Sequence, residues 1–241
     1  MKAVEVRGLC KSYGKVKAVE GLDLDIDAGQ VYGLLGPNGS GKTTAIKMLV
    51  GILRKDAGEA KVLGQPAGSR DYLKRIGYMP QETALYEELT VSANLRLFGR
   101  IYGLSRSSMN KRMDEVLSIV DLSDKRDAMF STLSGGQKHR ISLAASMVHS
   151  PELLFLDEPT VGVDPVLRAN FWSTFSELKG TGMTIIMSTH YMDEARRCDN
   201  IGLMRSGKLI AEGRPKAILE RTRTENLEDA FLHLVEKEAG K

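Results

Sequence analysis

Apolar and acidic residues alternate near the start of the chain. Leu22, Leu24 and Ile26 are each followed by an aspartate, which is the period-two pattern of a strand with one face in water. Strands of this kind are typical of antiparallel sheets that are covered on one side. We therefore predict an antiparallel β-subdomain in the first part of the chain.

Continuous apolar runs further along predict a second sheet. Residues 31–35, 153–156 and 184–187 are short and almost wholly apolar, as expected for strands covered on both faces of a parallel sheet. Residues 201–204 and 208–211 flank a Ser-Gly pair, which predicts a terminal hairpin. The fold class predicted from these runs is α/β, with a mixed, mainly parallel sheet.

The spacing of apolar residues changes to that of helices in the middle of the chain. Met113, Val116 and Leu117 show the three-and-four spacing of an amphipathic helix. We predict one domain, with core and β-subdomain at 1–86 and 151–212, an inserted α-helical subdomain at 87–150, and a C-terminal helical tail at 213–241.

Composition narrows the class of protein. With 241 residues, 42% of them hydrophobic, the chain can fill a globular core. Its 34 basic and 31 acidic residues leave a net charge of only +3, so we expect no nucleic-acid partner. Cys10 and Cys198 lie too far apart for a metal-ligand pair. The sequence shows neither a signal peptide nor an apolar run of the roughly 20 residues that span a bilayer. We therefore expect a cytoplasmic protein, for which any role at a membrane must come through a partner.

A glycine-rich loop follows the first buried run. The pattern G-x-x-x-x-G-K-[ST] is matched by Gly36, Pro37, Asn38, Gly39, Ser40, Gly41, Lys42 and Thr43. Between a strand and a helix, such a loop holds phosphate with its backbone N–H groups and the helix N-terminus. Lys42 can reach the β- and γ-phosphates, and the Thr43 hydroxyl can ligate Mg²⁺.

Two carboxylates end the run at 153–156. Asp157 and Glu158 are placed at the carboxyl edge of a parallel sheet, where ligands bind. Asp157 is predicted to hold Mg²⁺, and Glu158 is predicted to polarise the attacking water as a general base. Taken without the glycine-rich loop, the pair could equally be a surface cap of the strand.

A second candidate anion site precedes another helix. Ser134 is placed as the N-cap of a helix that Pro151 ends, and Gly135 and Gly136 clear side chains from its N-terminus. Two anion sites in one chain suggest a head-to-tail dimer. An ordinary capped helix is the alternative.

In their order along the chain, these motifs resemble the ATP-binding domain of ABC transporters. Residues 133–137, Leu-Ser-Gly-Gly-Gln, are the complete signature pentapeptide of that family. The resemblance implies further site residues: Tyr13 stacks on adenine, Thr44 extends the phosphate loop, Gln81 contacts Mg²⁺ and water, Gln137 completes the signature, Asp164 lies at the dimer interface, and His190 contacts the γ-phosphate. His139 and Val161 depart from the commoner residues, at positions that do no chemistry in the family.

The resemblance also implies an activity and partners. It implies an ATPase that uses ATP and Mg²⁺, with Glu158, His190, Gln81 and Lys42 as its catalytic residues. Each site would be shared by two protomers, which are two copies of this chain or one copy and a paralogous ATP-binding subunit. A separate transmembrane permease would attach the chain to the inner face of the cell membrane.

The direction of transport is less clear from the residues. The compact cassette and the tail sequence at 226–231 are similar to daunorubicin-resistance-type exporter ATPases, which predicts export. Import is one alternative. A soluble ABC ATPase acting on nucleic acid or the ribosome is another, although such proteins usually carry two cassettes or long insertions. The permease determines the transported substrate.

Overall fold

The structure is a computed structural model that describes residues 1–239. The last two residues of the predicted tail, 240 and 241, lie outside the described residues. The strands are β1 (Lys2–Tyr13), β2 (Val16–Asp27), β3 (Val31–Leu35), β4 (Ala57–Val62), β5 (Gln65–Pro66), β6 (Ile76–Met79), β7 (Leu153–Asp157), β8 (Thr184–Thr189), β9 (Asn200–Arg205) and β10 (Lys208–Gly213). The helices are α1 (Lys42–Leu49), α2 (Val91–Ile101), α3 (Arg106–Ile119), α4 (Gly135–Met147), α5 (Pro165–Gly180), α6 (Met192–Ala195), α7 (Pro215–Thr222) and α8 (Leu227–Ala239).

The first sheet is antiparallel and has the strand order β2-β1-β4-β5. Leu22, Leu24 and Ile26 on β2 are buried, whereas the aspartates between and after them are partly or fully exposed. Burying one face and leaving the other wet is the arrangement that the alternation predicted. The antiparallel sheet is therefore confirmed.

The second sheet has the order β10-β9-β3-β8-β7-β6. Its neighbours from β9 to β6 run parallel, and β10 is antiparallel to β9. Successive residues of β7 point into two separate apolar cores: Leu154 and Leu156 face the helical side, and Leu153 and Phe155 face the antiparallel sheet. Since strands buried on both faces need no alternation, their continuous apolar runs are explained, and the predicted α/β class is confirmed.

Helices α2, α3 and α4 fall within the segment predicted as helical. Two arginines join α3 and α4 at their carboxyl ends. Arg112 of α3 donates to the carbonyls of Met147 (2.9 Å) and Val148 (3.3 Å). Arg140 of α4 donates in return to the carbonyls of Val120 (3.0 Å) and Asp121 (3.1 Å). Each helix thus supplies hydrogen-bond donors to carbonyls that the other's C-terminus leaves without partners.

The helix ends agree only in part with the sequence-based expectation. Helix α4 begins at Gly135, directly after the predicted N-cap Ser134, and α1 begins at Lys42 within the glycine-rich pattern. The tail forms two helices, because Arg223 ends α7 with a left-handed φ of 57°. Within the described residues, no helix combines the length and apolar character needed to cross a membrane.

Candidate nucleotide site

A cleft of about 390 Å³ lies beside the glycine-rich loop. It is lined by Tyr13, Val16, Ala18, Asn38, Gly39, Ser40, Gly41, Lys42, Thr43, Thr44, Gln81 and Glu158. Most of the residues predicted to hold the nucleotide are therefore brought together on one surface. They come from β1, β2, the loop after β3, the start of α1, the residues after β6 and the end of β7.

The glycine-rich loop fits too tightly for larger residues. A Cβ atom at Gly36 would lie 2.2 Å from the carbonyl oxygen of Met204. At Gly41, where φ is 105°, it would lie 2.3 Å from the carbonyl oxygen of Ala18. Both contacts are with backbone, which cannot move aside as a side chain can. Glycine is therefore required at position 36 by the close backbone contact, and at position 41 by both the contact and the positive φ.

Lys42 is almost fully enclosed by this loop. Its side chain is 4% exposed, and Nζ donates to the carbonyls of Gly36 (2.8 Å) and Pro37 (3.1 Å). Burial lowers the pKa of Lys42, and Glu158, whose Oε1 is 3.6 Å from Nζ, opposes that shift. A buried ammonium held in this way presents a fixed positive charge to an anionic ligand.

Asp157 has one satisfied oxygen and one free oxygen. Its Oδ1 accepts from the hydroxyls of Ser188 (2.6 Å) and Thr43 (3.0 Å). Its Oδ2 is buried and has no hydrogen-bond partner among the residues at 1–239. Burial raises the pKa of Asp157. A carboxylate beside a threonine hydroxyl is an oxygen donor set that Mg²⁺ prefers, and a cation would satisfy the free oxygen.

Glu158 is the point where the polar side chains of the site converge. Its carboxylate lies 3.6 Å from Lys42 Nζ, 3.4 Å from His190 Nδ1 and 3.5 Å from Gln81 Nε2. Its backbone has a left-handed φ of 51°, and its N–H donates to the Ser188 hydroxyl at 2.9 Å. A non-glycine residue in this conformation costs about 1–3 kcal/mol, a strain that occurs mainly at functional sites.

Tyr13 lies at the mouth of the cleft. Its ring lines the cleft and is 51% exposed, so one face is available for stacking. Lys11 Nζ lies 5.9 Å from the ring centroid. An exposed aromatic face of this kind can stack on a nucleotide base without reading its hydrogen-bonding edge.

The predicted signature residues do not line this cleft. Ser134 caps α4: its hydroxyl accepts from the N–H of Gln137 at 3.3 Å, and Gln137 Oε1 accepts from the N–H of Ser134 at 2.9 Å. This capping box confirms the predicted N-cap. Asp164 caps α5 and lies outside the cleft as well. One chain therefore provides a phosphate-loop cleft and, away from it, a glycine-containing helix N-terminus.

Two polar residues near the site had no role in the sequence analysis. Ser188 links Asp157 to the backbone of Glu158. Glu194 is 2% exposed and accepts hydrogen bonds from two threonines. Neither residue stands at a recognisable spacing, since each finds its partners only when distant segments pack together.

The fold and the cleft define a class. A buried parallel strand leads through a glycine-rich loop into a helix, and the lysine of that loop lies beside two carboxylates at the edge of the sheet. This arrangement is that of a phosphate-loop nucleoside triphosphatase.

Comparisons with known proteins identify the branch of this class. The family model described as "ABC transporter" matches residues 19–161. The chain is 42% identical to Nod factor export ATP-binding protein I of Rhizobium sp. (strain N33), over 90% of this chain and 73% of that protein. It is 38% identical to ABC transporter G family member 20 of Dictyostelium discoideum, over 98% of this chain but only 33% of that protein. The solved structure of an ATP binding subunit of an ABC transporter superposes with a TM-score of 0.88 at 28% identity, over 97% of this chain and 99% of that one.

The chain belongs to the ABC transporter family of ATP-binding proteins. It is an ATPase of that family, and its nucleotide is ATP. The resemblance drawn from the motifs is therefore confirmed, and nothing in the comparisons supports the alternative of a soluble ATPase acting on nucleic acid or the ribosome.

Proposed function

We propose that this chain drives export through a separate permease by binding and hydrolysing ATP at the inner face of the cell membrane. The observation that carries the proposal is the convergence of Lys42, His190 and Gln81 on Glu158. The similarity to a protein named for Nod factor export supports export as the direction.

The contacts within the cleft support a role for each residue. The phosphate loop and Lys42 bind the phosphates of ATP, with Thr44 beside them and the Tyr13 ring against the base. Thr43 and Asp157 hold Mg²⁺ together with Gln81, and Mg²⁺, when bound, offsets negative charge on the phosphates. This role for the metal is supported by the free oxygen of Asp157.

Glu158 is the proposed general base. Its carboxylate is buried, held by a strained backbone, and positioned by Gln81 and His190 to accept a proton from water. His190 and Lys42 both lie within 4 Å of the Glu158 carboxylate. They are therefore placed to stabilise the charge that develops as the terminal phosphate leaves.

The second half of each site comes from another protomer. Ser134 to Gln137 and Asp164 lie outside the cleft of their own chain, and we assign them to the cleft of a second copy or of a paralogous subunit. A Cβ atom at Gly136 would lie 2.6 Å from Leu167 Cδ2 on α5, so the signature and the Asp164-capped helix lie side by side. They can therefore move as one surface.

The segment at 81–90 supports a permease contact. Tyr86 is 54% exposed, and Glu87 pairs with Lys138 of the signature helix at 2.8 Å. A permease bound to this segment would be connected through that ion pair to α4, and through Gln81 to Glu158.

The variant Glu158→Gln tests the proposal. It keeps the shape of the side chain but removes the proton acceptor, so ATP turnover is expected to fall by roughly 100-fold or more, while ATP affinity stays within about twofold and the protein elutes as a dimer in ATP. Turnover is measured by phosphate release, and the dimer by size-exclusion chromatography with and without ATP.

Glu152→Gln is the matched control, because Glu152 is an exposed carboxylate that pairs with Arg75 at the surface. Near-normal turnover in Glu158→Gln would remove Glu158 as the base. Strong stimulation of the unmodified protein by polyuridylate or duplex DNA would instead remove the transport function.

A further inference from the structure

A third buried carboxylate, besides Asp157 and Glu158, lies outside the cleft. Glu194 in α6 is 2% exposed. Its Oε1 accepts from the hydroxyl of Thr160 at 2.5 Å, and its Oε2 accepts from the hydroxyl of Thr189 at 2.8 Å. Arg168 Nε lies 3.6 Å from Oε1. A buried charge is tolerated only when it is paired and hydrogen-bonded, and Glu194 meets both conditions.

Its three partners belong to three different segments. Thr160 lies in the loop that runs from Glu158 to Asp164. Arg168 lies on α5, which Asp164 caps. Thr189 is the last residue of β8 and directly precedes His190. Glu194 therefore bonds both to the loop that leads to Asp164 and to the strand that leads to His190.

Further contacts hold the histidine segment on both sides. The carbonyl of Thr189 accepts from the N–H of Gly36 in the phosphate loop at 3.3 Å, and its hydroxyl accepts from the N–H of Tyr191 at 3.0 Å. The Tyr191 ring lies 4.2 Å from the His190 ring and 4.5 Å from the Arg168 guanidinium carbon. Helix α5 is thus connected to His190 by two routes, through Glu194 and through Tyr191.

We propose that Glu194 is a positioning residue for ATP hydrolysis. It holds His190 in a fixed position relative to the loop that contains Asp164. Closure of the dimer interface at Asp164 would then set the orientation of the His190 side chain. The proposal rests on the roles given above to His190 and Asp164. Glu194 itself has no place in the cleft and acts through the hydroxyls of Thr160 and Thr189.

The variant Glu194→Gln is the first test. Glutamine keeps the size of the side chain but offers one oxygen to two hydroxyl donors and no charge to Arg168. We expect kcat to fall about tenfold, as for a small misplacement of a reacting group, with KM for ATP changed by less than about twofold because the cleft is untouched.

The second readout is the imidazole NMR signal of His190. The chain has four histidines, and His190→Ala assigns the signal. In Glu194→Gln we expect the His190 signal to shift or broaden. The signal of His149, which bonds to the first residue of β6 at the amino end of the parallel strands, should stay in place. Asp193→Asn is the control, since it changes an exposed carboxylate on the same short helix and is expected to change neither kcat nor the signal.

A third variant keeps the test decisive if Glu194→Gln does not fold. Thr160→Val removes one hydroxyl donor at nearly constant volume, and it should lower kcat in the same direction by about threefold and shift the same signal. An unchanged His190 signal with unchanged kcat in a folded variant would overturn the proposal. A loss of stability with kcat and KM unchanged would overturn it too, because Glu194 would then be only structural.

The control on the proposed function is run beside these variants. If Glu158→Gln retains turnover, the proposed function fails first. If Glu158→Gln loses turnover and Glu194→Gln keeps it, with the His190 signal unmoved, only the positioning role of Glu194 fails.

Discussion

Ser188 shows how a single hydroxyl can join two neighbouring residues of the proposed catalytic site. It donates to Asp157 Oδ1 at 2.6 Å and accepts from the backbone N–H of Glu158 at 2.9 Å. The left-handed backbone of Glu158 leaves its N–H outside the strand ladder, so this hydroxyl is the acceptor that the strained conformation requires. The same atom therefore bonds to the carboxylate of Asp157 and to the backbone of Glu158.

Ser188→Ala should reveal this double role. The substitution leaves the Glu158 N–H without its acceptor and removes one donor from Asp157, and each buried group left unpaired costs about 1–3 kcal/mol. We expect the free energy of unfolding to fall by about that amount in urea titrations. Ser173→Ala, at an exposed position of α5, is the control. An equal change in the free energy of unfolding in both variants would show that the hydrogen bonds of Ser188 do not stabilise the fold.

The residues in and around the cleft differ in how well they could be predicted from the sequence. The glycines, Lys42 and Thr43 are adjacent along the chain, so the local pattern alone placed them together. Ser188 and Glu194 could not be predicted as site neighbours, because Ser188 lies 31 positions from Asp157 and Glu194 lies 34 positions from Thr160. Their contacts exist only after β7, β8 and α5 have packed.

At the scale of elements, prediction succeeded where burial dictates the pattern. β3 has the expected bounds, and the expected runs form β7 and β8 with one or two additional residues, since a strand covered on both faces must be apolar throughout. The start of α4 was also predicted, because Ser134 and the two glycines after it mark an N-cap in the local sequence. The break between α7 and α8 was missed because an arginine, and not a glycine, adopts the left-handed turn there.

The contact of α4 with β6 and α2 should be sensitive to pH. His149 follows α4, stacks on Tyr102 with centroids 3.7 Å apart, and its Nε2–H donates to the carbonyl of Ile76 at 2.8 Å. Burial lowers the pKa of His149 in the folded protein. The unfolded chain then takes up a proton more readily, so this stabilisation is fully present above about pH 6.5 and is lost as the pH falls toward the lowered value.

The variant His149→Phe tests this. When the pH is lowered from about 7.5 to about 5.5, we expect the unmodified protein to lose about 1 kcal/mol more of its free energy of unfolding than the variant loses. Phenylalanine keeps a flat ring for Tyr102 but does not titrate. His233→Gln, which changes an exposed histidine of α8, should leave the pH dependence as it is. A pH dependence that persists in His149→Phe would assign it to other groups.

At the scale of the whole molecule, the two half-sites of one chain predict complementation. Lys42→Ala disables the cleft but keeps the signature, and Ser134→Arg blocks the signature but keeps the cleft. In a mixed dimer, one site combines the intact cleft of the Ser134→Arg chain with the intact signature of the Lys42→Ala chain. The other site has neither half intact. With Glu158→Gln in both chains to prevent turnover, the mixture should retain about one ATP per dimer after gel filtration, and each variant alone should retain almost none.

This experiment distinguishes shared sites from independent ones. If each chain completed its own site, mixing would add nothing to what Ser134→Arg retains alone. Equal retention in the mixture and in that single variant would therefore contradict the assignment of Ser134 to the partner's cleft.

The paired arginines of α3 and α4 have a mechanical consequence. Arg112 and Arg140 tie the carboxyl end of each helix to the other, so neither helix can slide along its neighbour without breaking hydrogen bonds at both ends. We therefore expect the two helices to move together as one rigid unit, with bending confined to the loops that lead into it. A displacement at one end of this unit should then reach the signature without being lost to sliding between the helices.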